Sequence, residues 1–432
     1  MEREEKKEKK NKKKKSNKIE VSVKHKTLRI ICFVIVTIIA IVSFSIGISQ
    51  WVKKEPGYYD IKASADDLVP GYANGITLTC YFDGKSDEIR VKNNNATTAY
   101  SNGLKWIYCM VDAETNYDGY NNIAMLNQHM GEDISVSSEL FNILTDAYEF
   151  TCKGTGYNMF AGLLAQEWNS ILYLDDPSEV DPLNDPYEAE RLEKLAEATA
   201  NLDNFSFEIV DEAKHTVCFN ISQEYRQLIE DLELEGPVLD LNIMREAFIL
   251  RYLTRTLNDA GVTTGFIATD SGLTCTLSES REEAFLMYGR AEDGSVQYCA
   301  GIASQPGAAL CQFTSYAIDS EAGGYYELET EGGTLLRHPH FNLLTAEMNE
   351  FLLNASTVSY SGDIVEACLR CIEMYSCKDA ESLRQLIAAI PDGDTNSSYI
   401  LVAAPYIVNT SHSRASMLSS AGDTEYVIEI VK

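Results

Sequence analysis

Histidine is scarce in this chain, six residues in 432, and none forms an H-E-x-x-H pair or sits beside spaced cysteines. That scarcity argues against a zinc centre built on imidazoles. No G-x-S-x-G elbow and no Walker loop is present, so the familiar hydrolase nucleophile and phosphate cradle are both missing. There is no internal repeat, which excludes a solenoid. Positive charge is also scarce beyond the N-terminus. Residues 1–29 carry thirteen Lys or Arg against five Glu, a net of +8. With −29 over the whole chain, the remainder bears about −37. So acidic a body would repel a nucleic-acid backbone, and no nucleic-acid partner is expected.

The basic tail is followed by an apolar run. Residues 30–52 contain no charged side chain, and Trp51 closes the run as an interfacial aromatic before Lys53-Lys54. At about 1.5 Å per residue this is long enough to cross a bilayer. It is longer than a signal-peptide core and lacks a clean cleavage site. The expectation is one uncleaved transmembrane helix, with residues 1–29 cytoplasmic and everything after it outside. Residues 53–72 then read as a linker with Pro56, Gly57, Pro70 and Gly71, and 73–432 as one extracytoplasmic domain. Ten of the eleven cysteines fall in that domain. An even count permits disulfides in an exported protein. Most, however, lie inside apolar runs, as core thiols do. Cys368-Leu369-Arg370-Cys371 has the spacing of a redox pair but falls in mid-helix.

The central stretch is 238–277. Val238-Leu239-Asp240-Leu241 reads as a short strand. Met244, Ala247, Phe248, Leu250, Leu253 and Leu257 follow at helical spacing, and Gly261 offers a left-handed stop. Gly265-Phe266-Ile267-Ala268 restarts as a buried strand and turns at Asp270-Ser271-Gly272. Before it come a strand at 76–81, a helix at 97–112, a polar loop at 116–122, and a helix capped by Ser137 or Ser138. A helix opened by Asp185-Pro186 and a hairpin at 205–210 and 216–220 follow. Strands are expected at 284–288, 296–300, 355–360, 399–404 and 426–431, with helices from Gly362-Asp363 and from Asp379. The order is mixed, not strictly alternating, so the class is α+β in a single domain.

The ordered features resemble the FAD:protein FMN transferase family, also called ApbE-like, over residues 76–431. Three places carry the resemblance. One is the loop 116–127 ending in Asn127. Another is 136–168, with Thr155-Gly156-Tyr157-Asn158, Gly162 and Trp168. The third is Leu239-Asp240-Leu241 through Ala260-Gly261-Val262. The resemblance implies a T-fold-like flavin-transferase domain, FAD and Mg²⁺ as cofactors, and an exported flavin-acceptor protein modified on Thr or Ser. Carried over residue by residue, it implies His340 as a catalytic residue and Asp363 as a metal ligand. It also implies Asn121, Tyr157, Asn158 and Gly323 as flavin-binding positions.

The chemical residues depart from the family pattern. Glu246 stands where the family has Lys, with Arg245 beside it, and the Gly-rich helix entry reads Asn242-Ile243-Met244. The carboxylate of an aromatic-Asp-Pro-Thr motif is the amide of Asn158. His340 lacks the acid that should follow it, and the Thr expected one turn after Asp363 is Ala367. Mg²⁺ needs oxygen ligands, so these losses imply an eroded site. Asp363 followed by Glu366 is equally a helix-capping arrangement. Tyr157 suits core packing, and Gly323-Gly324 suits a plain turn. The expectation is a membrane-anchored relative, weak or inactive as a transferase, still able to bind a flavin. Two alternatives stand beside it: an active enzyme with Asp270 or Glu366 as relocated ligands, and a surface interaction module without flavin.

Overall fold

The computed structural model describes residues 33–43, 53–64, 75–281, 284–291, 293–319, 322–391, 393–402, 407–411, 415–417 and 426–431. The chain separates into two units, residues 1–55 and 56–432. In the first unit residues 33–43 are helical with exposed side chains. The rest of the apolar run 30–52, and the basic tail, lie outside the described residues. Among the described residues no helix is long and apolar enough to cross a membrane.

In the second unit, alternation sets the first strands. Strand β2 (Ile76–Phe82) buries Ile76, Leu78, Cys80 and Phe82 and turns its threonines outward or half-outward. It pairs with β1 (Gly57–Ile61) on one side and β6 (Gly265–Thr269) on the other, both antiparallel. Strand β1 therefore lies within the stretch expected to be a linker, and Tyr58-Tyr59-Asp60-Ile61 forms an edge there. The sheet continues through β7 (Leu273–Thr276), β10 (Ala309–Thr314), β13 (Leu352–Ser359), β14 (Thr395–Leu401), β15 (Ile407–Thr410) and β17 (Val427–Ile430). Its nine strands run β1-β2-β6-β7-β10-β13-β14-β15-β17, and only β15 and β17 pair in parallel. Every residue of β10 and β13 is buried, as a sheet covered on both faces requires.

Helices cover one face. Helix α1 (Ser86–Val111) packs on α7 (Arg245–Asp259), and α8 (Ile364–Tyr375) packs on α7, β10 and β13. Helix α1 begins earlier than its apolar spacing suggests, because Asp87 and Glu88 fill its first turn and Glu88 Oε2 accepts from Lys85 N at 3.0 Å. Gly103 lets α1 approach α7: a Cβ there would stand 3.1 Å from Leu253 Cδ2. Helix α9 (Ala380–Ala388) leans on β14.

A second sheet covers the other face, in the order β16 (Ala415–Met417), β9 (Val296–Ala303), β8 (Ala284–Arg290). Its core holds Phe285, Met287, Ile302, Leu310, Val358 and Ile400. A polar seam runs through this layer. Gln312 Oε1 accepts from Tyr288 N at 3.0 Å, Asn354 Nδ2 at 3.3 Å and Ser356 Oγ at 3.1 Å. Asn396 Oδ1 accepts from Thr410 Oγ1 at 2.8 Å and Ser398 Oγ at 3.4 Å.

A helix-rich segment lies between α1 and α7. It comprises α2 (Ile123–Gln128), β3 (Asp133–Ser135), α3 (Ser138–Lys153), α4 (Gly162–Leu172), α5 (Pro186–Ala200), β4 (Phe205–Asp211), β5 (Thr216–Ile221) and α6 (Gln223–Asp231). Ser137 caps α3, accepting from Leu140 N at 3.2 Å, and Asp185 caps α5 with Pro186 at its first position. A hairpin of β11 (Tyr326–Thr330) and β12 (Gly333–Arg337) stands apart from the large sheet.

Val238, Leu239 and Leu241 are buried and Asp240 half-buried, but the four form no strand. Their backbone bonds to side chains and a helix start instead. Asn127 accepts from Leu239 N and donates to Leu239 O, both at 2.9 Å. Gly162 N donates to Val238 O at 3.0 Å, and Asp240 N to Met159 O at 2.9 Å. A Cβ at Gly162 would meet Pro237 O at 2.3 Å, so the close approach of α4 needs glycine. All ten cysteines of this domain are free thiols.

Candidate functional site

The start of α7 faces α4 and the segment before Leu343 across a cleft of about 430 Å³. Its entry is shaped by Asn242, whose φ of 49° lies in the left-handed region. Asparagine tolerates that conformation better than other side chains. Asn242 thus keeps a glycine-like backbone where the resemblance leads one to expect glycine. Asp240 Oδ1 accepts from Asn242 N at 2.8 Å and fixes the turn.

One wall of the cleft is aromatic. Tyr173 follows α4 and is 61 % exposed. Its ring lies against Gly323-Gly324: a Cβ at Gly323 would stand 2.9 Å from Tyr173 Cε1, and one at Gly324 3.0 Å from Cζ. The diglycine therefore lets the ring lie flat on the backbone and leaves the rest of it open to solvent. A buried ion pair braces the flanking segments. Asp181 is fully buried and accepts from Arg337 Nε at 2.8 Å, Arg337 Nη2 at 3.2 Å and Tyr326 Oη at 2.5 Å. Burial alone would raise the Asp181 carboxyl, but the Arg337 and Tyr326 bonds hold it below its ordinary value.

His340 also lines the cleft. Its ring stacks on Phe313 at 4.2 Å and 14°. Nε2 lies 3.3 Å from Tyr325 Oη, while Nδ1 is buried without a hydrogen-bond partner. His340 N donates to His338 Nδ1 at 3.2 Å, so His338 carries its proton on Nε2 and donates to Asn349 O at 3.2 Å. Burial pushes His338 down to about 4 and His340 well below its ordinary value. His340 is therefore a neutral ring with one unsatisfied nitrogen. It is suited to hydrogen bonding and not to holding positive charge.

Carboxylates dominate the floor and rim. Glu114, Asp240 and Glu246 line the cleft against the single guanidinium of Arg245. Ser271 Oγ donates to Glu246 Oε2, fixing that carboxylate at the first turn of α7. Desolvation of its hydroxyl first, and the Glu246 charge second, raise the Tyr173 phenol above its ordinary value.

Of the residues singled out from sequence, His340 lines this cleft directly. Gly323 acts on it only through Tyr173. Tyr157 is fully buried with an unpartnered Oη, and burial first, then the Asp240 charge, raise its phenol well above its ordinary value. Asn158 is committed to the fold: Nδ2 donates to Thr199 O at 3.0 Å and Oδ1 accepts from Phe160 N at 2.9 Å. Asn121 is exposed and donates to Ser135 O at 2.7 Å; its neighbour Asn122 is the buried residue that caps α2. Asp363 lies in a different depression, beside Asp146, Arg251 and Glu366. Its Oδ1 caps α8, accepting from Val365 N and Glu366 N at 3.1 Å each.

The donor set does not suit Mg²⁺. Ala367 supplies no side-chain oxygen, Asp363 spends its Oδ1 on the helix cap, and among the described residues no group of three or more His, Cys, Asp or Glu could hold a metal ion. Asp270 does not join Glu366: it faces Gly75 and the charge of Asp319 instead. Sequence reasoning missed Tyr173 and Phe313. Phe313 ends the run Ala308-Ala309-Leu310-Cys311-Gln312-Phe313, whose length and apolarity mark a buried strand. No local signal ties Tyr173 to a diglycine so distant in sequence.

No family model and no curated protein matches the chain. Solved structures do. The ApbE protein of Thermotoga maritima superposes with a TM-score of 0.51 at 12 % identity, over 80 % of this chain and 94 % of that one. The flavin transferase ApbE of Vibrio cholerae gives 0.51 at 10 % identity, over 85 % and 97 %. The flavinyl transferase ApbE of Pseudomonas stutzeri gives 0.51 at 9 %, over 83 % and 95 %. At such identities the likeness concerns the backbone plan, and the fold of this chain is that of the ApbE flavin transferases.

Proposed function

We propose that this chain is a flavin-binding relative of the FAD:protein FMN transferases in which Mg²⁺-dependent transfer is weak or lost. It is anchored through residues 30–52, with its acidic domain outside the membrane of a bacterial envelope. One observation carries the reading: the cleft keeps an open aromatic face at Tyr173 and is lined by the neutral ring of His340, whose Nδ1 is buried without a partner, while Asp363 Oδ1 is engaged as a helix cap. A planar heteroaromatic ligand suits the first two features. A diphosphate-bound metal has no ligand set in the third. Within this reading Tyr173 stacks on the flavin ring, the neutral His340 ring lines the pocket and can turn its unpartnered nitrogen to a polar edge, and Asn242 shapes the backbone beneath.

The full chain in detergent, incubated with FAD, Mg²⁺ and an exported acceptor protein bearing the target Thr or Ser, tests this. The expected result is flavin bound without covalent transfer. Covalent yellow fluorescence on the acceptor would establish an active enzyme. A colourless protein with no flavin affinity would leave the surface interaction module. Resistance of the full chain to alkaline extraction from membranes is the expected sign of the anchor.

A further inference from the structure

We propose that Glu246 makes the cleft selective for a flavin without phosphate, so that riboflavin is preferred over FMN and FAD; this rests on the flavin reading above. The first turn of a helix is where a phosphate group is ordinarily welcomed, because free amide hydrogens and the helix dipole favour an anion. In α7 that place holds the chain's own anion. Glu246 lies in the first turn, lines the cleft, and is fixed by the Ser271 hydroxyl, which is itself bonded to Thr269 Oγ1 at 2.8 Å. The carboxylate is thus held on the cleft wall and not left to swing into solvent. Glu114 and Asp240 add the same sign, and among the described residues that line the cleft only Arg245 opposes them. The neutral features remain: the open Tyr173 ring, the His340 ring with its unpartnered nitrogen, and the amides of Gln166 and Asn169. An uncharged tricyclic ring meets all of these without approaching a carboxylate with like charge. A phosphate tail brings one or two negative charges against three.

The test is fluorescence-quenching titration of riboflavin, FMN and FAD with the full chain, wild type and variants. Wild type is expected to bind riboflavin at least tenfold more tightly than FMN. Glu246→Gln keeps a hydrogen-bond acceptor for Ser271 and is expected to raise FMN affinity about tenfold with riboflavin unchanged. Ser271→Ala, which frees the carboxylate, is expected to narrow the gap partway. Added salt should strengthen FMN binding to wild type, through screening, and leave riboflavin unaffected; a purely structural role for Glu246 would move neither. Wild type binding FMN or FAD as tightly as riboflavin overturns this inference and leaves the flavin reading standing. So does a Glu246→Gln variant that changes all three affinities alike. Binding of none of the three by any variant overturns both.

Discussion

The family resemblance assigns Asp363 and His340 to one site, yet they lie in separate concavities that differ in what their polar atoms are doing. Around Asp363 most charges are matched within the chain, Glu366 being the exception among the described residues. Arg251 meets Asp146 at 2.8 Å, Arg370 meets Glu373 at 2.8 Å, and the Asp363 carboxylate caps its helix. Around His340 several groups are unmatched: one buried nitrogen, one open aromatic ring, and Arg245, which makes no ion pair among the described residues. A surface whose groups are all satisfied by one another gains little from a ligand. A surface with unsatisfied groups gains from one that completes it. Under the flavin reading proposed above, the contrast favours the cleft for ligand recognition and the depression for helix capping.

The largest effect is expected where the frame of the cleft is broken. Asp181→Asn leaves buried Arg337 with only the exposed Glu350 carboxylate, 3.6 Å from Nη1, as a counter-charge, which costs up to about 3–5 kcal/mol. Denaturant midpoints should fall accordingly, with flavin binding lost in parallel. Unchanged stability would mean that the cleft wall stands without this pair. A smaller effect comes from pH. His338 and His340 titrate lower folded than unfolded, so the unfolded chain binds more protons as the medium turns acid. The stability they confer is complete above pH ~6.5 and declines as pH falls toward about 4, by up to about 1.4 kcal/mol per pH unit for each histidine. Thermal melts at stepped pH should show that slope, and His338→Gln should flatten it.

Next comes the aromatic wall. Tyr173→Ala is expected to weaken flavin binding about tenfold, near 1.4 kcal/mol. Gly323→Ala, whose new Cβ displaces the ring, should reproduce much of that loss. If calorimetry shows neither change, the ring is not a platform and the contrast loses its main support. The smallest effect tests the other side. Asp363→Ala should lower stability by about 1 kcal/mol, and Asp363→Asn should retain most of the cap. Neither should alter flavin affinity. A Mg²⁺-dependent gain in FAD affinity that disappears in Asp363→Asn would make Asp363 a metal ligand and erase the distinction drawn here.

Much of the fold was legible from period and punctuation. Strand β2 announced itself by alternation, α7 by its apolar spacing and Gly261, and α5 by Asp185-Pro186. The α+β class followed from the order of such elements. The misreadings share a cause: apolar segments whose backbone partners come from far away. Residues 238–241 look like a strand, yet their bonds come from Asn127 and α4, which no local pattern reveals. Strand β1 looked like a linker because Pro56-Gly57 hides a short edge that only β2 completes. The site was legible in part. His340 and Glu246 stood out by their position in the family pattern, whereas Tyr173 becomes meaningful only against Gly323-Gly324. Asp363 carried two readings in sequence, and its bonds to Val365 N and Glu366 N favour the cap.

The seam of amides and hydroxyls between the two sheets has a consequence for how the molecule reaches this arrangement. Shifting β13 by one residue against its neighbours would turn Val358 toward the helices and strand Gln312 without Asn354 or Ser356. Hydrophobic contact alone tolerates such slippage, but directional donors do not. The two sheets are therefore keyed like a lock with one admissible tooth position, since a misaligned pairing leaves these buried donors and acceptors unmatched.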